Sequence, residues 1–202
     1  HGSYPTYKLQ RYGHTSWSLV EIAWQDGPYL DENTTTTTIT AGAATGLGVT
    51  FTASSIVGIN GGDGFKTTDI GRLIRLTDDG TVNWGWGVIV GRTSSTVVTV
   101  DVRRTVVSIA AETKWRLGAW SGTTGYPSAS TFYQQRLCAA NATDKPQTFW
   151  ASQTSDFENH APDSPNAGTS TWAGTVEDDD ALDYTISADD VNAIRWMSAG
   201  KG

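Results

Sequence analysis

The residues of this chain that could do chemistry are few and scattered. His14 and His160 lie far apart and form no metal-spaced pair such as HxxxH or HExxH, so both are interpreted as surface or loop histidines. Cys138 is the single cysteine, and its apolar neighbours indicate a buried structural thiol rather than a nucleophile. A lone cysteine also excludes an intrachain disulfide and a cysteine-rich zinc site.

Two further chemistries lack their motifs. Ser130, Ser152 and the other serines do not stand in a Gly-x-Ser-x-Gly elbow, so a serine hydrolase is poorly supported. Asp63 lies in a glycine-rich stretch, but no GxGxxG that opens a helix is present, so phosphate binding is weakly indicated. The sequence therefore predicts no enzyme and assigns no catalytic, cofactor-binding or metal-binding residue.

Glu177–Asp180 is the longest run of carboxylates. Oxygen ligands of this kind can bind calcium, with Asp183 nearby, but the regular spacing of a calcium loop is missing. The favoured interpretation is a solvated surface turn. A glycan hydrolase that uses a pair among Asp178, Asp180 and Asp183 is the least favoured alternative.

Nine tryptophans are the most conspicuous feature of the composition. Trp84 and Trp86 alternate with glycines and share a face with Val88 and Val90, which is typical of a stripe that faces a core. Three others lie among predicted strand residues: Trp115, Trp150 and Trp196. An exposed platform that stacks sugars would instead draw on one or two of Trp17, Trp24, Trp120 and Trp172. Such a platform would make the protein a carbohydrate-binding module.

The elements that position these residues are predicted to be strands. Charged residues make up only 17% of the chain while Thr, Ser and Gly are plentiful, which favours an all-β protein with little helix. Thr34–Thr40 has high β-propensity, and Val49–Ala53 alternates apolar with polar residues. Thr77–Gly80 is a hairpin signal. Residues 38–113 thus predict a small antiparallel β-barrel or sandwich of about six strands.

The rest of the chain predicts further strands and loops. Residues 131–139 and 148–152 are two predicted strands, 156–174 is a predicted loop, and Val191–Met197 is the last apolar element. The predicted organisation is a tag remnant at 1–3, N-terminal strands that pack with the C-terminal part at 4–37, the small barrel at 38–113, and an acidic segment at 114–202.

The charge of the chain is unevenly distributed. The net charge is −7, and all of it lies in residues 119–202, because residues 1–118 hold ten basic and ten acidic side chains. This balance argues against a nucleic-acid binder with a basic surface. No apolar run approaches the ~20 residues of a membrane span. The single methionine is Met197, so we expect the natural protein to be longer.

The second half resembles a known family, through the order and spacing of short motifs rather than through any single one. The motifs are Trp115–Ser121, Gly125–Pro127, Thr131–Phe132, Gln135–Leu137, Pro146–Thr148, Trp150–Ser152, Asp156–Asn159, Glu177–Leu182 and Val191–Trp196, with Asp26–Tyr29, Asp69–Ile74 and Trp86–Ile89 upstream. Together they are similar to the tail tubular protein B, or tail nozzle, proteins of short-tailed (podovirus-type) phages and prophages. The chain departs from the family at Cys138, at Ala140 and at His160, which replaces an expected aromatic residue.

The resemblance implies a structural role without catalysis. Such proteins build a β-propeller-like body with inserted small β-domains and assemble as a ring of six in the virion tail, after synthesis in the cytoplasm of the bacterial host. The implied partners are other tail proteins and copies of the same protein, with DNA only as transient cargo and no membrane. The resemblance implies propeller-type strands at 4–37 and 114–202. An acidic second half agrees with a channel that must pass DNA without holding it.

Overall fold

The computed structural model describes residues 2, 4–78, 83–165, 172–187 and 192–200, without the side chains of 164, 165 and 172–175. Strands hold 42% of the residues and helical turns 3%, so the predicted all-β class with little helix is confirmed. The predicted hairpin turn at Thr77–Gly80 lies partly outside the described residues, and so do residues 166–171 of the predicted loop.

The strands of the described part are antiparallel to their neighbours. In chain order they are β1 Tyr7–Arg11, β2 Trp17–Glu21, β3 Ile39–Ala41, β4 Val49–Ala53, β5 Leu73–Leu76, β6 Gly85–Arg92, β7 Val97–Arg104, β8 Ala111–Glu112, β9 Trp115–Leu117, β10 Ala129–Tyr133, β11 Arg136–Ala142, β12 Lys145–Ala151, β13 Ser164–Pro165, β14 Trp172–Thr175 and β15 Leu182–Thr185. Two single turns of 3₁₀ helix, Asn60–Gly62 and Thr67–Asp69, precede β5.

The predicted small barrel is present as a nearly closed sheet of seven strands in the order β8-β3-β4-β7-β6-β5-β9. Its two edge strands, β8 and β9, are consecutive in the chain and are joined only by Thr113 and Lys114. The carbonyl of Lys114 accepts a hydrogen bond from the Thr77 amide at 3.1 Å, and that of Thr113 accepts one from the Asn33 side chain at 2.9 Å. The barrel-like sheet therefore extends beyond residue 113, to β9.

The barrel interior is filled by apolar side chains from strands β3, β4, β5, β7 and β9. Phe51 and Val100 are fully buried in it, together with Ile89 of β6. Beside Ile89 the strand carries only glycine: a Cβ on Gly85 would lie 2.4 Å from Val106 Cα, and one on Gly87 would lie 2.5 Å from the Asp101 carbonyl oxygen. Backbone from neighbouring strands thus occupies the space that side chains would need.

The tryptophan stripe on β6 consequently faces away from the barrel interior. Val90 is exposed, and Trp86 and Val88 are half-buried on the outer side of the sheet. Trp84 is buried, but it packs against the guanidinium group of Arg75 rather than in the apolar core. The interpretation of this stripe as core-facing was therefore wrong for Trp86, Val88 and Val90, although Trp84 is buried, because alternation alone does not say which face of a strand is enclosed.

The threonine run contributes less strand than predicted. Only β3 at its end is a strand, whereas Thr35 and Thr37 form a turn around Asn33. The Asn33 side-chain amide donates to the carbonyls of Thr35 and Thr37 at 3.0 and 3.1 Å. An asparagine side chain that satisfies successive carbonyls offers the backbone an alternative to sheet pairing.

A second sheet is formed by β10, β11, β12 and β15 in that order. The predicted single strand at 131–139 is in fact parts of two strands, because Gln134 and Gln135 form a tight turn between Tyr133 and Arg136. Both glutamines have positive φ, 45° and 61°, which suits a two-residue hairpin turn but is uncommon for glutamine. That this antiparallel sheet is one blade of a propeller stays a prediction.

The N-terminal residues form the separate hairpin β1–β2 and then run against the C-terminal part. The Gln25 amide donates to the Glu158 carbonyl at 2.8 Å, and Lys8 forms an ion pair with Glu158. Residues 192–200 have no regular secondary structure, although the Ile194 amide donates to the Pro146 carbonyl at 3.0 Å. Residue 191, the start of the predicted last apolar element, lies outside the described residues.

Candidate functional site

A layer of buried charged side chains joins the N-terminal residues, the barrel and the C-terminal segment. The Arg75 guanidinium lies between the rings of Tyr29 and Trp84, 4.5 and 4.2 Å from their centroids, and is 3.4 Å from the Asp163 carboxylate. Arg75 and Asp163 are both buried. Burial raises the pKa of Asp163, and the Arg75 charge opposes that increase. This pair links a barrel strand to the C-terminal segment.

A second buried carboxylate completes the layer. Asp26 accepts a hydrogen bond from the Tyr29 hydroxyl at 2.7 Å and forms an ion pair with Arg104. Burial raises the pKa of Tyr29 well above its usual value, and the nearby Asp26 charge adds to the increase. Perturbed groups in one cluster mark candidate catalytic sites. Here the carboxylates bind guanidinium groups, so the arrangement accounts for cohesion rather than for proton transfer.

His160 lies in a loop, as its interpretation as a surface or loop histidine allowed, but its ring is buried inside an aromatic cluster rather than at the surface. Its ring is 5.2 Å from that of Trp24 and 5.0 Å from that of Trp120, in edge-to-face geometry, and Trp120 continues the cluster to Trp150 at 5.5 Å. Neither ring nitrogen of His160 has a conventional hydrogen-bond partner. Burial lowers its pKa to about 3, so the ring is neutral and functions as an aromatic residue.

The N-terminal segment approaches this cluster too closely for any side chain at Gly27. Its φ is 107°, and a Cβ placed there would lie 2.2 Å from the His160 carbonyl oxygen. The Gln25 carbonyl also accepts a hydrogen bond from the His160 amide at 3.4 Å. Residues 25–27 are therefore held against the C-terminal segment by backbone contact.

The acidic turn is partly solvated and partly built into the fold. Glu177, Asp178 and Asp179 are exposed, as predicted, whereas Asp180 is buried. The Asp180 carboxylate accepts hydrogen bonds from the Glu177 amide at 2.8 Å and from the Gln153 side chain at 3.1 Å. Both oxygens of the Asp180 carboxylate are thus engaged in hydrogen bonds within the protein.

Arg136 anchors this turn through backbone oxygens. Its guanidinium group donates to the carbonyls of Asp178, Asp180 and Ser152 at 2.5 to 2.6 Å. The carboxylates of the turn are not its partners. The turn is therefore positioned by a buried arginine that the sequence reasoning did not single out.

The carboxylates considered for glycan hydrolysis do not line one cavity together. Asp183 lies opposite Trp150 and lines a cavity of about 380 Å³ with Tyr29 and Lys145. Burial raises the pKa of Asp183. Asp178 and Asp180 are not part of that wall. Within the described ranges, no group of three or more His, Cys, Asp or Glu side chains could hold a metal ion.

The remaining candidates have structural or solvent-exposed positions. Cys138 is a buried free thiol, as predicted, and burial raises its pKa. Ser152 is buried, and its hydroxyl accepts a hydrogen bond from the Leu137 amide at 2.9 Å. His14 and Ser130 are exposed, and Asp63 pairs with Lys66 at the surface. None of these contacts resembles an activated nucleophile.

The proposed tryptophan platform is not continuous. Trp17 is exposed on the hairpin, Trp24 is half-buried, and Trp120 is buried in the His160 cluster. The side chain of Trp172 lies outside the described part of the structure. Trp115 and Trp150 are buried as expected, whereas Trp196 is 76% exposed, contrary to the expectation of a strand position in the core.

The β1–β2 hairpin exposes large apolar side chains to solvent on one of its faces. Tyr7, Leu9, Trp17 and Leu19 share its outer face, with Leu9 directly opposite Leu19, and Arg11 and Glu21 stand at the two ends of this face. All four are exposed, from 48% for Tyr7 to 67% for Leu19. The opposite face carries Lys8, which reaches Glu158.

The four-stranded sheet also presents large apolar side chains to solvent. On one face, Tyr133, Leu182, Tyr184 and Ile186 are each at least 45% exposed. Phe132 lies on the other face, where its ring is 5.2 Å from that of Phe157. Contiguous exposed apolar surface on a folded protein marks interaction sites. The structure thus has two uncovered apolar β-surfaces.

The sequence reasoning missed both the charged layer and the hairpin face, although each left a signal. Arg75 stands inside the otherwise apolar strand Leu73–Leu76, where a charge must find a partner. Tyr7 and Leu9 alternate with polar residues, as do Trp17 and Leu19 across the turn. Alternation revealed a strand but not that its apolar side is uncovered.

No helix in the described ranges has both the length and the apolar character to cross a membrane. A scan against protein-family models finds no match to this chain, and a search of curated proteins finds no significant match. Functional inference therefore rests on the residues and contacts given above and on the sequence resemblance.

Proposed function

We propose that this protein is a structural part of the tail of a short-tailed phage or prophage, in the nozzle or tube, and acts in virion assembly and DNA passage without catalysis. Its location is the virion tail, after synthesis in the cytoplasm of the bacterial host. The observation that carries the proposal is the outward apolar face of the β1–β2 hairpin. It agrees with the resemblance to tail nozzle proteins.

The hairpin is better suited to assembly than to independent stability. An isolated two-stranded hairpin is marginal in water, and most of the large apolar side chains of this one face outward. If a neighbouring subunit covered Leu9 and Leu19, which are about two thirds exposed, each would contribute up to about 2 kcal/mol. The proposed neighbours are a second copy of this protein in a ring and the other tail proteins.

The charge distribution agrees with the same role. Two carboxylates of the acidic second half, Glu158 and Asp163, pair with Lys8 and Arg75 of the first half, so these two charges are balanced locally while the net charge of the chain stays −7. The exposed run Glu177–Asp179 remains at the surface. A surface of this sign repels phosphates, which suits a protein that meets DNA only as transient cargo.

The hairpin face can be tested with Leu9→Lys combined with Leu19→Glu in the genome that encodes the protein. These positions face each other, so the new side chains form a cross-strand ion pair and folding is conserved. We expect DNA-filled heads that lack complete tails, seen by negative-stain electron microscopy.

The matched control places the same residue types in the exposed hairpin turn, as Thr15→Lys with Ser16→Glu, and should give normal particles. Circular dichroism of both purified variants verifies that they fold. Complete tails in the Leu9→Lys, Leu19→Glu phage would contradict the proposal.

A further inference from the structure

An aromatic cleft lies on the outer side of the barrel, between the N-terminal segment and the residues that follow β9. Its volume is about 480 Å³, within the range of roughly 300–1,000 Å³ that is usual for small-molecule sites. Four aromatic side chains contribute to its wall: Trp24, Trp86, Trp120 and Tyr126. It is open to solvent and has a mixed polar and apolar lining.

The aromatic wall is held rigidly by the fold. Trp24 and Trp120 pack edge to face with centroids 4.7 Å apart, and both contact the buried His160 ring. Trp86 reaches the cleft because the glycines beside it occupy the barrel interior and turn its face of β6 outward. Side chains that are already fixed lose little entropy when a ligand binds.

Three polar side chains of different chemistry complete the lining. Glu21 supplies a carboxylate, Gln25 a carboxamide and Arg103 a guanidinium group, and all three residues are exposed. The backbone of Gln25 is fixed by hydrogen bonds to Glu158 and His160, while its side chain borders the cleft. Together they offer both donors and acceptors of hydrogen bonds.

We propose that this cleft binds a short saccharide. A pyranose ring has C–H faces that pack on the electron-rich face of an aromatic ring and equatorial hydroxyls that both donate and accept hydrogen bonds. The wall and rim of the cleft match these two features.

The rival ligand classes match less well. A purely apolar ligand would desolvate Glu21 and Arg103 without pairing them. A quaternary ammonium ion suits an aromatic cage, but the charges of Glu21 and Arg103 cancel, so the lining has no net negative charge to attract it. A proline-rich peptide could use the aromatic wall, yet it leaves the carboxylate without a donor along most of its length. This inference does not depend on the proposed tail role.

The test uses the full chain and four trisaccharides as probes: cellotriose, maltotriose, mannotriose and N,N′,N″-triacetylchitotriose. Isothermal titration and tryptophan fluorescence should show saturable binding of at least one, with a Kd of about 1 mM or tighter. Trp86→Ala should weaken that binding about tenfold or more. Ala23→Tyr, which adds bulk at an exposed wall position without deleting any packing, should weaken it as well.

Trp17→Ala is the matched control, because Trp17 is exposed on the hairpin and is not part of the cleft wall. It should leave the Kd unchanged. The proposal is overturned if no trisaccharide binds at 10 mM or if only choline or a proline-rich decapeptide binds. It is also overturned if Trp17→Ala abolishes binding while Trp86→Ala and Ala23→Tyr do not.

Discussion

Replacing Arg75 by methionine is expected to lower the free energy of unfolding by about 3–5 kcal/mol at pH 7. The substitution leaves the Asp163 carboxylate buried without its guanidinium partner and removes the cation from between the rings of Tyr29 and Trp84. Urea denaturation followed by tryptophan fluorescence measures the loss. Arg103→Met, which breaks a 3.7 Å pair with Asp101 at the surface, should change stability by less than about 1 kcal/mol.

The loss of stability in Arg75→Met should become smaller as the pH falls. Burial already raises the pKa of Asp163, and removing Arg75 raises it further, so folding takes up a proton between the unfolded and the folded pKa. Stability contributed by this carboxyl group therefore increases as the pH falls. The deficit of Arg75→Met should shrink from pH 7 to pH 4, and Arg75→Met with Asp163→Leu should recover most of it. A deficit that is constant with pH and not recovered would contradict the buried pair.

His160→Phe is expected to make the protein less sensitive to acid. The pKa of His160 is lowered from 6.5 to about 3 by burial, so the unfolded chain binds a proton at a higher pH than the folded one. The stability associated with a neutral ring is fully present above pH 6.5 and is lost as the pH falls towards 3. At pH 5 the loss is about 2 kcal/mol, which phenylalanine avoids because it does not titrate.

The measurement is the difference in free energy of unfolding between His160→Phe and the wild type, at pH 7.5 and at pH 5. We expect this difference to shift by about 2 kcal/mol in favour of the variant. His14→Phe, on the exposed hairpin turn, should show the wild-type dependence. An unchanged difference for His160→Phe would show that His160 is not enclosed by Trp24 and Trp120.

The fold class and the barrel could be predicted because they depend on local patterns. The strict alternation of Val49–Ala53 matches its burial residue by residue, and the composition favoured strands throughout. The sequence also contained a sign of the His160 cluster, since the resemblance placed an aromatic residue at that position. A neutral histidine between two tryptophans keeps the same packing role.

Several parts could not be predicted because they depend on partners distant in the chain. Arg75 and Asp163 are 88 residues apart in the sequence, and no local pattern pairs them. The direction of the Trp86 face was decided by the backbone near Gly85 and Gly87, which alternation cannot reveal. The turn at Gln134 was missed because glutamine rarely adopts positive φ.

The proposed tail role would also explain features that do not stabilise a monomer. Leu9 and Leu19 gain nothing from solvent exposure, and the acidic turn is positioned by Arg136 so that three carboxylates remain outside. Both features are explained if neighbouring subunits cover the hairpin face and DNA passes without being held.

The most direct measurement of the central claim is the position of this protein in the particle. A Fab raised against the chain, selected for binding at the exposed barrel loop Thr45–Gly48, can be added to particles produced from the genome that encodes it. Electron microscopy should then show Fab density on the tail below one head vertex, in a ring-like arrangement. Particles without Fab, with the protein found only in the particle-free fraction of the lysate, would contradict a structural role in the tail.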